Sequence, residues 1–204
     1  MIDFVAARRM MVDGQVRTSE VTDLRLIAAM AEVPRERFVP EGSAGLAYLD
    51  RDLPVTPARP GGARCLLKPM VLAKLLQAAD IDADHHVLDV GCATGYAAAV
   101  LSRLAASVVA LEQDPALAQR AGEALRSCGA ANVRVVTGPL AEGFAGAAQK
   151  TRQFFVQRSN SGLTIDHQEK QRGFIDGHSC LAKNLLRDER FVVRDDTAGI
   201  DDLE

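Results

Sequence analysis

The sequence predicts an α/β fold, a parallel sheet wound with helices, and three observations carry that prediction. Residues 86–136 alternate strand, helix, strand, helix, strand at the spacing such units need. The first strand runs directly into a loop with a glycine at each end, Gly91-Cys-Ala-Thr-Gly95, before a helix begins. An acidic residue, Glu112, stands at the tip of the second strand, where ligands of open α/β sheets are held. With 204 residues, 48% hydrophobic and 25% charged, the chain can bury one core of ordinary size.

The elements follow in chain order. Residues 1–17 mix Asp3, Arg8, Arg9 and Asp13 with short apolar steps, unlike a secretory leader. Ser19 or Thr22 is expected to cap a helix reaching Ala31, with Leu24, Ile27, Ala28 and Ala31 on one face and Pro34 ending it. Residues 40–65 carry Pro54, Pro57, Pro60, Gly61 and Gly62 and read as loops. Pro69 opens a short buried helix through Met70, Leu72, Ala73, Leu75, Leu76 and Ala79. His86–Val90 reads as a strand, Tyr96–Ala105 as a helix and Ser107–Leu111 as a second strand. Asp114 caps the next helix, with Pro115 at its first position and Gly129 just past its end; Val133–Val136 is the third strand.

Composition changes at Gln149 and Lys150. Residues 1–149 hold 30 Ala and residues 150–204 hold 2, while the later stretch carries 9 Lys plus Arg and 10 Asp plus Glu. So charged a segment is a poor source of central strands, which are near-continuous apolar runs. The reading therefore divides the chain into a domain over 1–149, helical at its N-terminal part, and a charged, poorly ordered tail over 150–204. The sheet is expected to be incomplete or altered after residue 149. A shift of reading frame near codon 149 would produce such a change of composition.

Several function classes are excluded. Seven Phe, two Tyr and no Trp leave little aromatic surface for stacking bases, and a net charge of −3 gives no general nucleic-acid footprint. No apolar run is long enough for a membrane span. Cys65, Cys92, Cys128 and Cys180 fit neither a zinc spacing nor a dense disulfide framework, and read as reduced thiols of a cytoplasmic protein. Nothing in the sequence reports an oligomeric state.

The chemistry is expected at Val87-Leu-Asp-Val-Gly-Cys-Ala-Thr-Gly-Tyr96. Gly91 and Gly95 let the backbone turn tightly and approach a ligand, Asp89 faces the crevice, and Glu112 can accept hydrogen bonds from both hydroxyls of a ribose. A strand–turn–helix that needs glycines only for its geometry would match the loop alone; Glu112 at the right distance favours a ligand site. A dinucleotide fingerprint would need glycines where Ala93 and Tyr96 stand, which disfavours a pyrophosphate and a nicotinamide-dependent oxidoreductase. S-adenosylmethionine has no phosphate, and its ammonium and ribose suit Asp89 and Glu112.

These residues resemble a family. Met11-Val-Asp-Gly-Gln-Val-Arg17, Asp23–Met30, Val33-Pro-Arg-Glu-Arg-Phe-Val-Pro40, Ala47-Tyr-Leu-Asp50 and Leu53-Pro-Val55, together with the glycine loop and Glu112, are similar to protein-L-isoaspartate O-methyltransferases over residues 8–149. The resemblance implies a Rossmann-like methyltransferase fold and S-adenosylmethionine as cofactor. It implies isoaspartyl-containing proteins or peptides as substrate, methylated on a free carboxylate in protein repair. It points to Asp89, Gly91, Cys92, Gly95, Glu112 and Leu140 as the cofactor-binding set.

Three places depart from the family's pattern. Where the family has Gly-Gln-Thr-Ile-Ser-Gln-Pro, this chain reads Ala63-Arg-Cys-Leu-Leu-Lys-Pro69, so Leu67 replaces the Ser usually taken as catalytic. Leucine neither donates nor accepts a hydrogen bond, and no catalytic residue is assigned. After the third strand the family's Gly-Asp is replaced by Gly138-Pro-Leu140, and nothing after Gln149 resembles the family. A second function is therefore carried alongside the first: a degenerate cofactor-binding module without methyl transfer.

The remaining candidates have plainer readings. His85 and His86 point opposite ways at a strand start and make no joint metal site. His167 and His178 read as a solvated polar loop. Cys92 is a small residue that fits the turn, or a thiol activated at a helix start. Arg8, Arg9, Arg35 and Arg37 read as solvated charges, with Arg35 or Arg37 alternatively neutralising a carboxylate substrate.

Overall fold

The computed structural model describes residues 2–57, 63–140, 143–144, 151–155, 157–159, 162–164 and 194–195. The chain opens with α1 (Phe4–Met11), whose first turn is capped by Asp3 accepting from the backbone of Val5 and Ala6. It continues without a break into a π-turn over Val12–Val16. Helix α2 (Leu24–Glu32) is capped by Asp23, which accepts from Arg25 and Leu26, rather than by Ser19 or Thr22. Its buried face also differs from the expected one. Leu26, Ile27, Ala29 and Met30 are buried, whereas Leu24 is 72% exposed. Two apolar stripes compete on this helix, and the one carrying Leu26 and Met30 removes more apolar area from water. Val33 ends the helix before Pro34, as expected.

Residues 40–57 form loops, with a 3₁₀ turn over Glu41–Leu46. Beyond the expectation, β1 (Leu53–Pro54) and β2 (Cys65–Leu66) pair antiparallel. Pro60, Gly61 and Gly62 lie outside the described residues. Helix α3 (Pro69–Ala78) starts at Pro69 and buries Val71, Leu72, Ala73, Leu75 and Leu76.

The alternation then follows the sequence reading: β3 (His86–Val90), α4 (Tyr96–Leu101), β4 (Ser107–Glu112), α5 (Pro115–Ser127) and β5 (Val133–Thr137). Asp114 caps α5, and Gly129 takes φ +71° just past its end. The strand β6 (Thr151–Phe155) pairs parallel with β3, from His86 opposite Thr151 to Val90 opposite Phe155. A two-residue strand β9 (Arg194–Asp195) adds antiparallel to β6, giving the order β5-β4-β3-β6-β9. A separate hairpin joins β7 (Gln157–Ser159) to β8 (Gly162–Thr164).

At least one strand beside β3 thus comes from beyond residue 149, at Thr151–Phe155. His167, His178 and most of the charged tail lie outside the described residues.

The sheet is apolar on both faces, as a parallel sheet must be. Val87, Val108 and Ala110 join the large core with α3, α4, α5 and the N-terminal helices. Leu88, Val90 and Leu111 point the other way and pack with Leu140. Among the described residues no helix is long and apolar enough to cross a membrane.

Candidate functional site

The strands β3 and β4 end side by side, and Asp89, next to last in β3, and Glu112, last in β4, put two carboxylates on one face of the sheet. Between β3 and α4 the chain must reverse sharply. Gly91 takes φ +80° and Gly95 φ +91°, with Gly91 donating to Leu111 O at 2.8 Å and Gly95 to Cys92 O at 2.8 Å. A side chain at Gly95 would also meet Ala121 Cβ and Leu125 Cδ1 at 3.2 Å, so this glycine lets α4 approach α5. Ala93 adopts φ +51°, a left-handed conformation that costs a non-glycine residue about 1 kcal/mol. Its N–H, turned by that conformation, donates to Glu112 Oε2 at 2.8 Å.

Glu112 is fully buried and its carboxylate is saturated. Oε2 accepts from Ala93 N–H at 2.8 Å and Arg64 Nη2 at 2.6 Å; Oε1 accepts from Gln113 N–H at 2.9 Å and Asp114 N–H at 3.2 Å. Arg64 Nη2 also donates to Gly91 O at 2.9 Å, so one nitrogen bridges the ends of β3 and β4.

Asp89, 1% exposed, has Oδ2 without a partner among the described residues. Burial, then the nearby charge of Glu112, pushes its carboxyl up to about 7, with Arg64 opposing. An orphaned buried carboxyl oxygen next to a ribose-type acceptor is a fitting anchor for a cation. Cys92 is buried, and burial followed by the charges of Asp89 and Glu112 pushes its thiol well up, which counts against an activated thiolate. Leu140 is buried against Leu88, Val90 and Leu111, residues that immediately precede Gly91 and Glu112 or lie beneath them. It therefore packs on the face of the sheet opposite Asp89 and Glu112, which share the side of Val87 and Ala110.

Two arginines define this region, and the sequence reading gave neither the part it plays. Arg35, expected in solvent, is 0% exposed. It donates to Ala47 O and Leu67 O at 2.7 Å each and lies over the Tyr96 ring at 4.6 Å, and burial lowers its pKa. Arg35 thus clamps the backbone of Leu67, itself buried, to the start of α4. Arg64 was visible only as the residue standing where the family has Gln. Arg8 is also no free charge: it bonds Tyr48 Oη at 3.0 Å and Glu32 O at 2.8 Å. Arg37 is exposed and bonds Ser127 O at 2.6 Å. At the opposite end of β3, His86 bonds Ser107 Oγ at 2.7 Å, while Asp82, Asp84 and His85 bring ligand atoms within 4.8 Å of one another at the surface.

A family model described as protein-L-isoaspartate(D-aspartate) O-methyltransferase matches residues 7–155. The chain belongs to that family. The match runs through β6, six residues past the composition break. Among curated relatives, protein-L-isoaspartate O-methyltransferase 2 of Anaeromyxobacter sp. (strain Fw109-5) is 42% identical over 139 residues, covering 68% of this chain and 54% of its own. Protein-L-isoaspartate O-methyltransferase 1 of Rhodopseudomonas palustris (strain HaA2) is 38% identical over 141 residues, covering 69% and 56%. The chain thus spans a little over half the length of these relatives.

A solved protein-L-isoaspartate O-methyltransferase superposes with a TM-score of 0.64 at 23% identity, covering 78% of this chain and 49% of that one. A putative enzyme of the same name from Plasmodium falciparum, in complex with S-adenosyl-L-homocysteine, superposes with a TM-score of 0.53 at 14% identity, covering 64% and 62%. At these identities the superpositions establish the Rossmann-like methyltransferase fold.

Proposed function

We propose that the crevice at the carboxyl ends of β3 and β4 binds S-adenosylmethionine, and that the protein is a methyltransferase for the free carboxylate of isoaspartyl residues in proteins or peptides. The observation that carries the reading is the pair of buried carboxylates, Glu112 and Asp89, converging beside a two-glycine turn. Glu112 would hold the ribose, and the orphaned Oδ2 of Asp89 would hold the ammonium. Gly91, Cys92 and Gly95 would form the turn along the methionine end, and Leu140, just past β5, would flank the adenine. When bound, S-adenosylmethionine supplies a methyl group on a sulfonium centre, a displacement that needs alignment more than proton transfer. The residues of this chain would bind and orient it while the buried crevice keeps water away. The protein-repair role and a cytoplasmic setting follow from the same reading, and the free thiols of Cys65, Cys92 and Cys128 suit that compartment.

Leu67 favours a second reading, a cofactor-binding module with little transfer. Its side chain has nothing to offer an acceptor carboxylate, and Arg35 fixes its backbone where it stands. Calorimetry with S-adenosylhomocysteine, and transfer of labelled methyl to an isoaspartyl peptide, measured on one preparation, separate the readings. Binding with transfer supports the methyltransferase. Binding without transfer, regained in Leu67→Ser, supports the module. No binding overturns both.

A further inference from the structure

The carboxylate that would take the ribose has no lone pair left to offer. A carboxylate presents about four acceptor positions, and those of Glu112 are filled by four donors, two on each oxygen. Three are backbone N–H groups of Ala93, Gln113 and Asp114, fixed by the loop and by the start of α5. The fourth is the Arg64 guanidinium, the one donor on a rotatable side chain, and that side chain is 26% exposed. Its backbone is held separately: Arg64 N–H donates to Thr56 Oγ1 at 2.9 Å, and its carbonyl accepts from Val55 N–H at 2.8 Å. The side chain can therefore leave without unfolding the β1–β2 hairpin. The same nitrogen that fills Glu112 also caps Gly91 O, so one movement uncovers acceptors at the ends of both strands.

From this geometry we infer that Arg64 is a gate on the proposed cofactor site, its guanidinium seated on Glu112 and Gly91 and displaced into solvent when an adenosyl ligand binds. The inference rests on the cofactor reading above. It also explains how the site stays folded when empty, since Arg64 is the nearby cation opposing the charge on Asp89 and Glu112. The gate multiplies the affinity by the fraction of time that Arg64 is away. A charge-assisted bond to a buried carboxylate keeps that fraction to about a tenth or less.

The test compares the whole chain with Arg64→Met, which keeps the apolar stem and removes the donor, by calorimetry with S-adenosylhomocysteine. Binding about tenfold tighter in the variant is expected. A dissociation constant within twofold of the parent, or weaker, overturns the gate while leaving the cofactor reading intact. Absence of binding to both proteins overturns the two together. Should Arg64→Met fail to fold, the parent protein still decides the matter through its arginine side-chain nitrogen NMR signals, with Arg64→Lys providing the assignment. Saturating S-adenosylhomocysteine should move the Arg64 signal from a restrained to a freely rotating, solvent-exchanging one. An Arg64 signal unchanged at saturation refutes displacement.

Discussion

Replacing Asp89 by Asn should change stability in a way that depends steeply on pH. Asp89 is 1% exposed, and one of its oxygens has no partner among the described residues. Its carboxyl sits at about 7 in the folded chain against an ordinary 3.8, first because burial disfavours the charge and then because Glu112 is near. A carboxyl whose folded pKa is raised contributes most below its unfolded pKa, and that contribution is lost as pH rises through the folded value. Between pH 5 and pH 8 the unfolded chain is already ionised at this position, whereas the folded chain must give up its proton near 7. At about 1.4 kcal/mol per pH unit, the folded state loses about 2 to 3 kcal/mol over that interval. Asn does not titrate. The stability of Asp89→Asn relative to the parent, from urea unfolding without ligand, should therefore rise by about 2 to 3 kcal/mol from pH 5 to pH 8. The amide brings an unmatched donor of its own, which offsets both pH values equally. A difference between the two proteins that stays constant within about 0.5 kcal/mol would show that Asp89 titrates like an exposed carboxylate, and the proposed cation anchor would lose its basis.

Glu112→Ala should weaken S-adenosylhomocysteine binding by about 1 to 3 kcal/mol, because the ribose loses its charged acceptor; calorimetry giving the parent affinity would remove Glu112 from the site. Binding by the parent should strengthen about tenfold per pH unit up to about 7 and then level off, since the ligand's ammonium needs Asp89 ionised; a flat profile from pH 5.5 to 7 would separate Asp89 from the ligand. Ala93→Gly should stabilise the fold by about 0.5 to 1 kcal/mol, because glycine adopts φ +51° without strain and keeps the N–H on Glu112; thermal unfolding showing a loss would mean the alanine methyl is packing to advantage. Arg35→Met should cost about 2 to 4 kcal/mol by urea unfolding, as the carbonyls of Ala47 and Leu67 are left buried without their donor; a neutral substitution would deny the clamp.

The parts of the fold read correctly from sequence are those whose cause is local. Strand β3, the turn at Gly91 and Gly95, strand β4 and Glu112 come from an apolar run, two glycines and an acid at fixed spacing, and α5 from Asp114, Pro115 and Gly129 around it. Helix α2 shows the limit of local reading. Spacing found an apolar stripe, but the helix carries two, and only the mass packed against it selects Leu26 and Met30 over Leu24. The arginines lie further beyond reach. Arg35 is buried by carbonyls 12 and 32 residues away, and the part-exposed Arg64 is held by acceptors 27 and 48 residues away. A cation enters a core only where such partners already converge, and nothing near it in the chain announces them. The two carboxylates of the crevice pose the converse problem. Asp89 and Glu112 are brought together by strand pairing, Asp89 opposite Ala110 and Glu112 one step past Leu111, and their charges cannot both be buried without a cation. Arg64 supplies that cation from within the chain, and the ammonium of the proposed adenosyl ligand would supply one from outside. The electrostatic demand that Arg64 meets at Glu112 is thus the one that the ammonium of the proposed ligand would meet at Asp89.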